Sequence, residues 1–285
     1  MKNPPSVVAV LLLLFISAQF MGLFILKSAD FEAEPFPGVG RPDVAPGQSY
    51  IFIGIAILIG TALLLLIMKF HKFGLWKLWY FLSVFATLAV AWNVFFSAVM
   101  AGIAAFAAAA WKVFRPNFII HNLTELFIYG GLAVIFVPIM NLFSASVLLL
   151  LVSAYDVYAV WKSRHMVRMA KFQAASRLFA GLAVPKSFKG MSKPVPRHFQ
   201  AKGALSKQDG VAVAILGGGD IGLPLLFAGV VMSQFGFARA FVVPVFASIG
   251  LAFLFAISKK GKFYPAMPFV SAGCFIGYGI IALFA

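Results

Sequence analysis

The sequence predicts an all-α integral membrane protein with nine transmembrane helices, its N-terminus cytoplasmic and its C-terminus outside. Three observations predict it. The 285 residues are 62% hydrophobic and only 11% charged, with a mean hydropathy of +1.00, far from the balance of a soluble domain. Apolar residues come in continuous runs suited to helices, which need about 20 residues to cross a core of about 30 Å, and not in the alternating segments of about 10 that a membrane β-barrel needs. The basic residues fall almost entirely in every second loop, as cytoplasmic loops require.

Runs bounded by charge, proline or polar clusters place the spans near 6–26, 50–68, 76–95, 97–114, 118–139, 142–162, 210–233, 238–258 and 264–284. The first run is long for a signal-peptide core and lacks a small-x-small cleavage site, so it reads as a retained span. The third and fourth are almost continuous from Leu78 to Ala110. As a single helix that run would extend about 50 Å, too long for one ordinary crossing, so a short turn divides it near Trp92-Asn93.

With the N-terminus inside, all of the 23 basic residues except Lys27, Arg41 and Arg239 fall on the cytoplasmic side. One helix more or fewer would destroy that segregation. The net charge of +15 therefore serves orientation and contact with anionic membrane lipid, and no nucleic-acid partner is implied. The single cysteine, Cys274, excludes an intrachain disulfide. The loop after the first span carries Asp30, Glu32, Glu34 and Asp43, and its prolines predict irregular packing outside.

Three parts follow: a six-helix bundle over 1–162, a basic cytoplasmic loop over 163–209, and a three-helix part over 210–285. In the loop, "SRHMVRMAKFQAASRLFAGLAVP" has Arg164, Arg168 and Lys171 at helical spacing, extending the sixth helix or lying on the membrane face. After Pro185 the composition is that of a partly disordered linker, which leaves the sixth and seventh helices free to move apart.

Only eight residues are acidic, and two lie well inside spans: Asp156 in "LVSAYDVYAVW" and Asp220 in "ILGGGDIGLP". A carboxylate in the membrane interior costs roughly 2.5–3.5 kcal/mol on insertion scales, so each should face a protein cavity. Counted along helices, Asp156 lies about 9 Å and Asp220 about 15 Å from the cytoplasmic ends of consecutive spans, which lets them meet. Two facing carboxylates cannot both ionise cheaply and share a proton. The charged member takes a proton from a water attacking a peptide carbonyl while the protonated member hydrogen-bonds the carbonyl oxygen. This is aspartic-protease chemistry, with an optimum at neutral or mildly acidic pH, and it calls for no metal or organic cofactor.

The glycines fit that chemistry. Gly217, Gly218 and Gly219 let another backbone approach beside Asp220, and Pro224 removes a donor four residues later. A substrate helix must unwind before it is cut, and exposed backbone here offers an edge for β-addition of the extended strand.

Tyr155-Asp156 in the sixth span, the Gly-x-Gly-Asp of Gly217 to Asp220 in the seventh, and Pro265-Ala266-Met267 at the ninth resemble, in that order, the motifs of the intramembrane aspartyl proteases, presenilin and signal peptide peptidase. The resemblance covers all nine spans and looks like an archaeal presenilin-type homologue. It implies a GxGD-type endopeptidase in which Asp156 and Asp220 are the catalytic pair, Tyr155 lines the site, and Pro265, Ala266 and Met267 shape the pocket. Met267 departs from the family's leucine, and Gly218 stands where a larger apolar residue is common. The orientation resembles presenilin rather than signal peptide peptidase. The implied substrates are transmembrane helical peptides or signal-peptide remnants, the implied location is the multi-pass cell membrane fraction of an archaeon, and no obligatory protein partner is indicated.

Other readings stand beside this one. Intramembrane aspartates and broken helices also mark proton- or ion-coupled secondary transporters, although the first five spans hold no counterpart of the glycine-aspartate run. An inert scaffold that binds helices is the third. Glu125 is expected to snorkel to the boundary or cap the fifth helix, the four histidines to be solvated, and Trp76, Trp79, Trp111 and Trp161 to form an aromatic belt. No H-E-x-x-H supports a zinc protease, and Ser271 has no histidine on a neighbouring span.

Overall fold

Every predicted span contains a helix in the computed structural model, which describes residues 4–70, 72–163, 165–176, 178–185, 213–259 and 264–284. The first six are α1 (Pro5–Ser28), α2 (Ser49–Lys69), α3 (Phe73–Asn93), α4 (Ala98–Phe114), α5 (Phe118–Phe136) and α6 (Leu142–Val157). A 3-10 turn at Val137–Ile139 prolongs α5 and a π turn at Tyr158–Lys162 prolongs α6. The chain leaves α3 at Asn93 and enters α4 at Ala98, so the long apolar run divides where expected. Asn117 and Asn141 cap α5 and α6 by accepting the N–H groups of Ile120 and Ser144.

Beyond α6 lies a short helix, α7 (His165–Ser176). Here the structure corrects the sequence reading, because "GLAVP" does not continue a helix: it forms strand β1 (Gly181–Pro185), antiparallel to β2 (Val213–Gly217), with Gly181 opposite Gly217 and Pro185 opposite Val213. Gly181 has φ +132°, and a Cβ there would overlap the Leu216 carbonyl, so only glycine fits. The seventh span is corrected too. Its helix, α8 (Gly219–Phe235), starts only at the last of the three glycines, which disfavour helix and let β2 run to Gly217. A short helix α9 (Phe237–Ala240), α10 (Val242–Ile257) and α11 (Met267–Leu283) complete the chain.

Among the described residues six apolar helices, counting the two prolonging turns and joining α9 with α10, are long enough to cross a membrane, and α4, α8 and α11 are shorter apolar helices. At 17 residues α8 reaches about 26 Å, a little short of a hydrocarbon core of about 30 Å. The main core gathers Leu11 and Phe15 of α1, Leu148 of α6, Leu225 and Phe227 of α8 and Leu251 of α10. A second core joins α3 to α4 through Val84, Leu88, Ala105 and Ala109. Large apolar side chains such as Leu58, Ile59, Ile103 and Phe253 point outward, as a lipid-facing surface requires.

Helices α3 and α5 touch backbone to backbone, since a Cβ on Gly131 would overlap the Thr87 carbonyl. Gly131→Ala is expected to destabilise the protein by about 1–3 kcal/mol through overpacking. Gly60→Ala on α2, where a Cβ meets nothing within 4 Å, should not lower stability. Thermal unfolding of the two variants in detergent checks the contrast.

The acidic loop between α1 and α2 is irregular and ordered around Arg41, whose Nη1 donates to the carbonyls of Phe31 and Ala33 at 2.8 Å each. Arg41 Nε reaches the Val134 carbonyl of α5 at 3.3 Å. Lys2, His71, Arg164, the linker after Pro185 with His198 and Asp209, and Lys260 and Lys262 lie outside the described residues, as do the side chains of His165 and Lys171.

Candidate active site

Asp156 stands in the last turn of α6, 3% exposed, and its Oδ2 accepts the Met267 N–H at 3.1 Å. It thereby satisfies one of the orphan donors at the start of α11 and ties the sixth span to the Pro265-Ala266-Met267 segment. Asp220 is half-buried in the first turn of α8, a favourable place for a carboxylate, and not ten residues into a helix as counted from the sequence. A Cβ on Gly217 would lie 3.2 Å from Asp220 Oδ2, so the glycine lets the backbone face the carboxylate. Asp156 and Asp220 line one cavity of about 790 Å³.

Tyr155, Gly217, Gly218, Gly219, Ala266 and Met267 line the same cavity. Pro265 is buried and is not among the lining residues, although its neighbours Tyr264 and Ala266 are. Ser153 of α6 and Ser271 of α11 hydrogen-bond at 2.8 Å, a second tie between the helices that hold Asp156. From α1, Gln19 donates to the Ile221 carbonyl at 2.7 Å and pins α8 one residue beyond Asp220.

Several residues of this region were assigned otherwise from the sequence. Glu125 neither snorkels nor caps α5: it is 1% exposed, pairs with Lys112 Nζ at 2.7 Å, and accepts the Tyr129 hydroxyl and the Gly181 N–H. Lys112 is buried with it and does not face lipid. His121 is buried, packed on Phe179 with the rings tilted by 39°, and bonded to the Gly181 carbonyl at 2.7 Å, so it is not solvated. Trp76 is buried at the cavity wall and donates to Ser176 Oγ at 3.1 Å, whereas Trp111 and Trp161 are exposed as a belt would be. Tyr80 donates to the Phe179 carbonyl at 2.8 Å. The signal for this cluster was present: His121, Asn122, Glu125 and Tyr129 recur at three and four residues on one face of an apolar helix, a pattern that demands buried polar partners.

The family profile described as signal-peptide peptidase, presenilin aspartyl protease matches residues 10–285. The chain belongs to that family. It is accordingly an integral, multi-pass intramembrane aspartyl protease that acts on transmembrane substrates, and the transporter alternative is set aside. Two solved structures share its fold, both described as a presenilin family intramembrane aspartate protease. The first, in space group C222, has a TM-score of 0.64 at 18% identity over 98% of this chain and 99% of the other. The second, in space group P2, has a TM-score of 0.61 at 20% identity over 96% and 97%. No curated protein matches the sequence.

Proposed function

We propose that this intramembrane protease is of the GxGD type, with Asp156 and Asp220 as its catalytic pair. The observation that carries the reading is that both aspartates line one cavity, which strand β2 also borders. A water between the carboxylates loses its proton to the charged member and attacks the scissile carbonyl, whose oxygen receives a hydrogen bond from the protonated member. The proton then passes to the leaving amine. Neither step needs a metal or organic cofactor.

Substrate enters as a transmembrane segment or signal-peptide remnant and is held extended. Gly217, Gly218 and Gly219 present backbone beside Asp220, and β2 offers a strand for β-addition. Tyr155 and Met267 shape the pocket with Ala266, and Pro265 fixes the turn behind them. The N-terminus is cytoplasmic and the C-terminus outside, on the segregation of basic residues; the parts 1–162 and 210–285 contribute one aspartate each across the 163–209 loop. The protein works in a cell membrane without an obligatory protein partner.

A peptide analogue carrying a tetrahedral hydroxyl at the scissile position tests the mechanism. It is expected to block cleavage of a fluorogenic transmembrane peptide competitively, whereas inhibition by a serine-directed reagent and not by the analogue would contradict the dyad.

A further inference from the structure

The turn that carries Asp220 has little support of its own. Glycine stands at 217, 218, 219 and 222, and Gly218, at the N-cap of α8, has no side chain to cap the helix. Pro224 lies inside α8 and brings no N–H to the carbonyl four residues back, which is that of Asp220 itself. In a membrane, a turn freed in this way needs donors from neighbouring elements.

One donor comes from α1. Gln19 is fully buried, and its Nε2 donates at 2.7 Å to the Ile221 carbonyl, the next along the chain from that of Asp220. The two helices stay together beyond the proline: a Cβ on Gly22 would overlap Leu225, and a Cβ on Gly229 would overlap Leu26. Residues 19, 22 and 26 thus meet 221, 225 and 229 in the same order, so α1 and α8 run parallel, with Pro224 between the first two contacts. Helix α1 is itself continuous from Pro5 to Ser28. It therefore splints the break, and Gln19 holds the side that carries Asp220.

The amide does not serve packing. Gln19 Oε1 is buried with no hydrogen-bond partner among the described residues, a destabilising arrangement that an apolar side chain of similar length would avoid. What glutamine adds is the donor to Ile221.

We infer that Gln19 is a positioning residue for Asp220, which fixes the aspartate-bearing turn to α1 across the break at Pro224 and so sets the geometry of the catalytic pair. The inference rests on the reading of Asp220 as catalytic given above.

The test is the cleavage kinetics of a fluorogenic transmembrane peptide, with the unfolding temperature measured beside them, for wild type, Gln19→Met, Pro224→Ala and the double variant. Gln19→Met is expected to lower kcat about 10- to 100-fold, the scale of a small misplacement of a reacting group, with KM within about twofold and the unfolding temperature not lowered. Pro224→Ala returns a main-chain donor to the turn, so in that background the same substitution should cost less than about threefold. A wild-type kcat in folded Gln19→Met would overturn the inference. So would a kcat that falls only in step with the unfolding temperature, or an equal loss in both backgrounds, since Gln19 would then act on something other than the break. If Gln19→Met does not fold, Gln19→Asn is read in the same way, because it keeps an amide and withdraws the donor by one methylene. Asp220→Asn runs in parallel: cleavage that survives it would overturn the catalytic pair, whereas cleavage that needs Asp220 and is indifferent to Gln19 would overturn this inference alone.

Discussion

Asp156→Asn and Asp220→Asn are each expected to abolish cleavage while leaving the protein folded. Positioned proton transfer contributes about 10²–10⁴-fold, so either loss should reduce turnover at least that far. The two groups act as one unit, so the double variant should be no worse than the poorer single one. Folding should survive because asparagine retains the size of aspartate and, at position 156, an oxygen to accept the Met267 N–H that now bonds Asp156 at 3.1 Å. Turnover measured beside the unfolding temperature separates the two effects. Substantial cleavage by either single variant would contradict a two-aspartate mechanism.

The largest effect on stability is expected at the buried ion pair. Lys112 Nζ lies 2.7 Å from Glu125 Oε1 with both side chains almost wholly enclosed, and it also donates to Thr124 Oγ1 at 2.8 Å and to the His121 carbonyl at 3.1 Å. Lys112→Met leaves the Glu125 charge unpaired and should cost about 3–5 kcal/mol, as breaking other buried pairs does. Lys112→Met combined with Glu125→Gln removes both charges and keeps acceptors for the Gly181 N–H and the Tyr129 hydroxyl, so it should recover most of that loss. Thermal or denaturant unfolding in detergent, run as a double-mutant cycle, measures the coupling. A double variant as unstable as Lys112→Met alone would show that the charges themselves, and not their pairing, support α4, α5 and β1.

The helices were legible because long apolar runs leave few alternatives in a membrane, and even the break between α3 and α4 followed from the reach of one helix. The two strands were not. "GLAVP" and "VAILG" are five-residue apolar runs, and at that length a buried strand and a buried helix have the same pattern. Their pairing joins residues on either side of the long loop, which no local signal announces. Missing the strand also misplaced Asp220, which stands in the first turn of a helix and not in its interior.

Asp156 and Asp220 were conspicuous because acidic residues are so few here and these two sit far from any loop. The buried pairing of Lys112 with Glu125 was missed for the opposite reason, each lying within reach of a predicted helix end where a charged side chain ordinarily reaches water. Only the fold shows that the backbone of β1 takes the place that water would have filled. Gln19 was missed similarly, as its role depends on α1 packing beside the Ile221 carbonyl.

The most direct measurement of the central claim is the identification of new termini after a single-span substrate is incubated with the purified protein in liposomes, wild type beside Asp220→Asn. The two-aspartate account predicts termini inside the substrate's apolar segment from wild type and none from the variant. Termini confined to flanking loops, or the same products from both proteins, would contradict it.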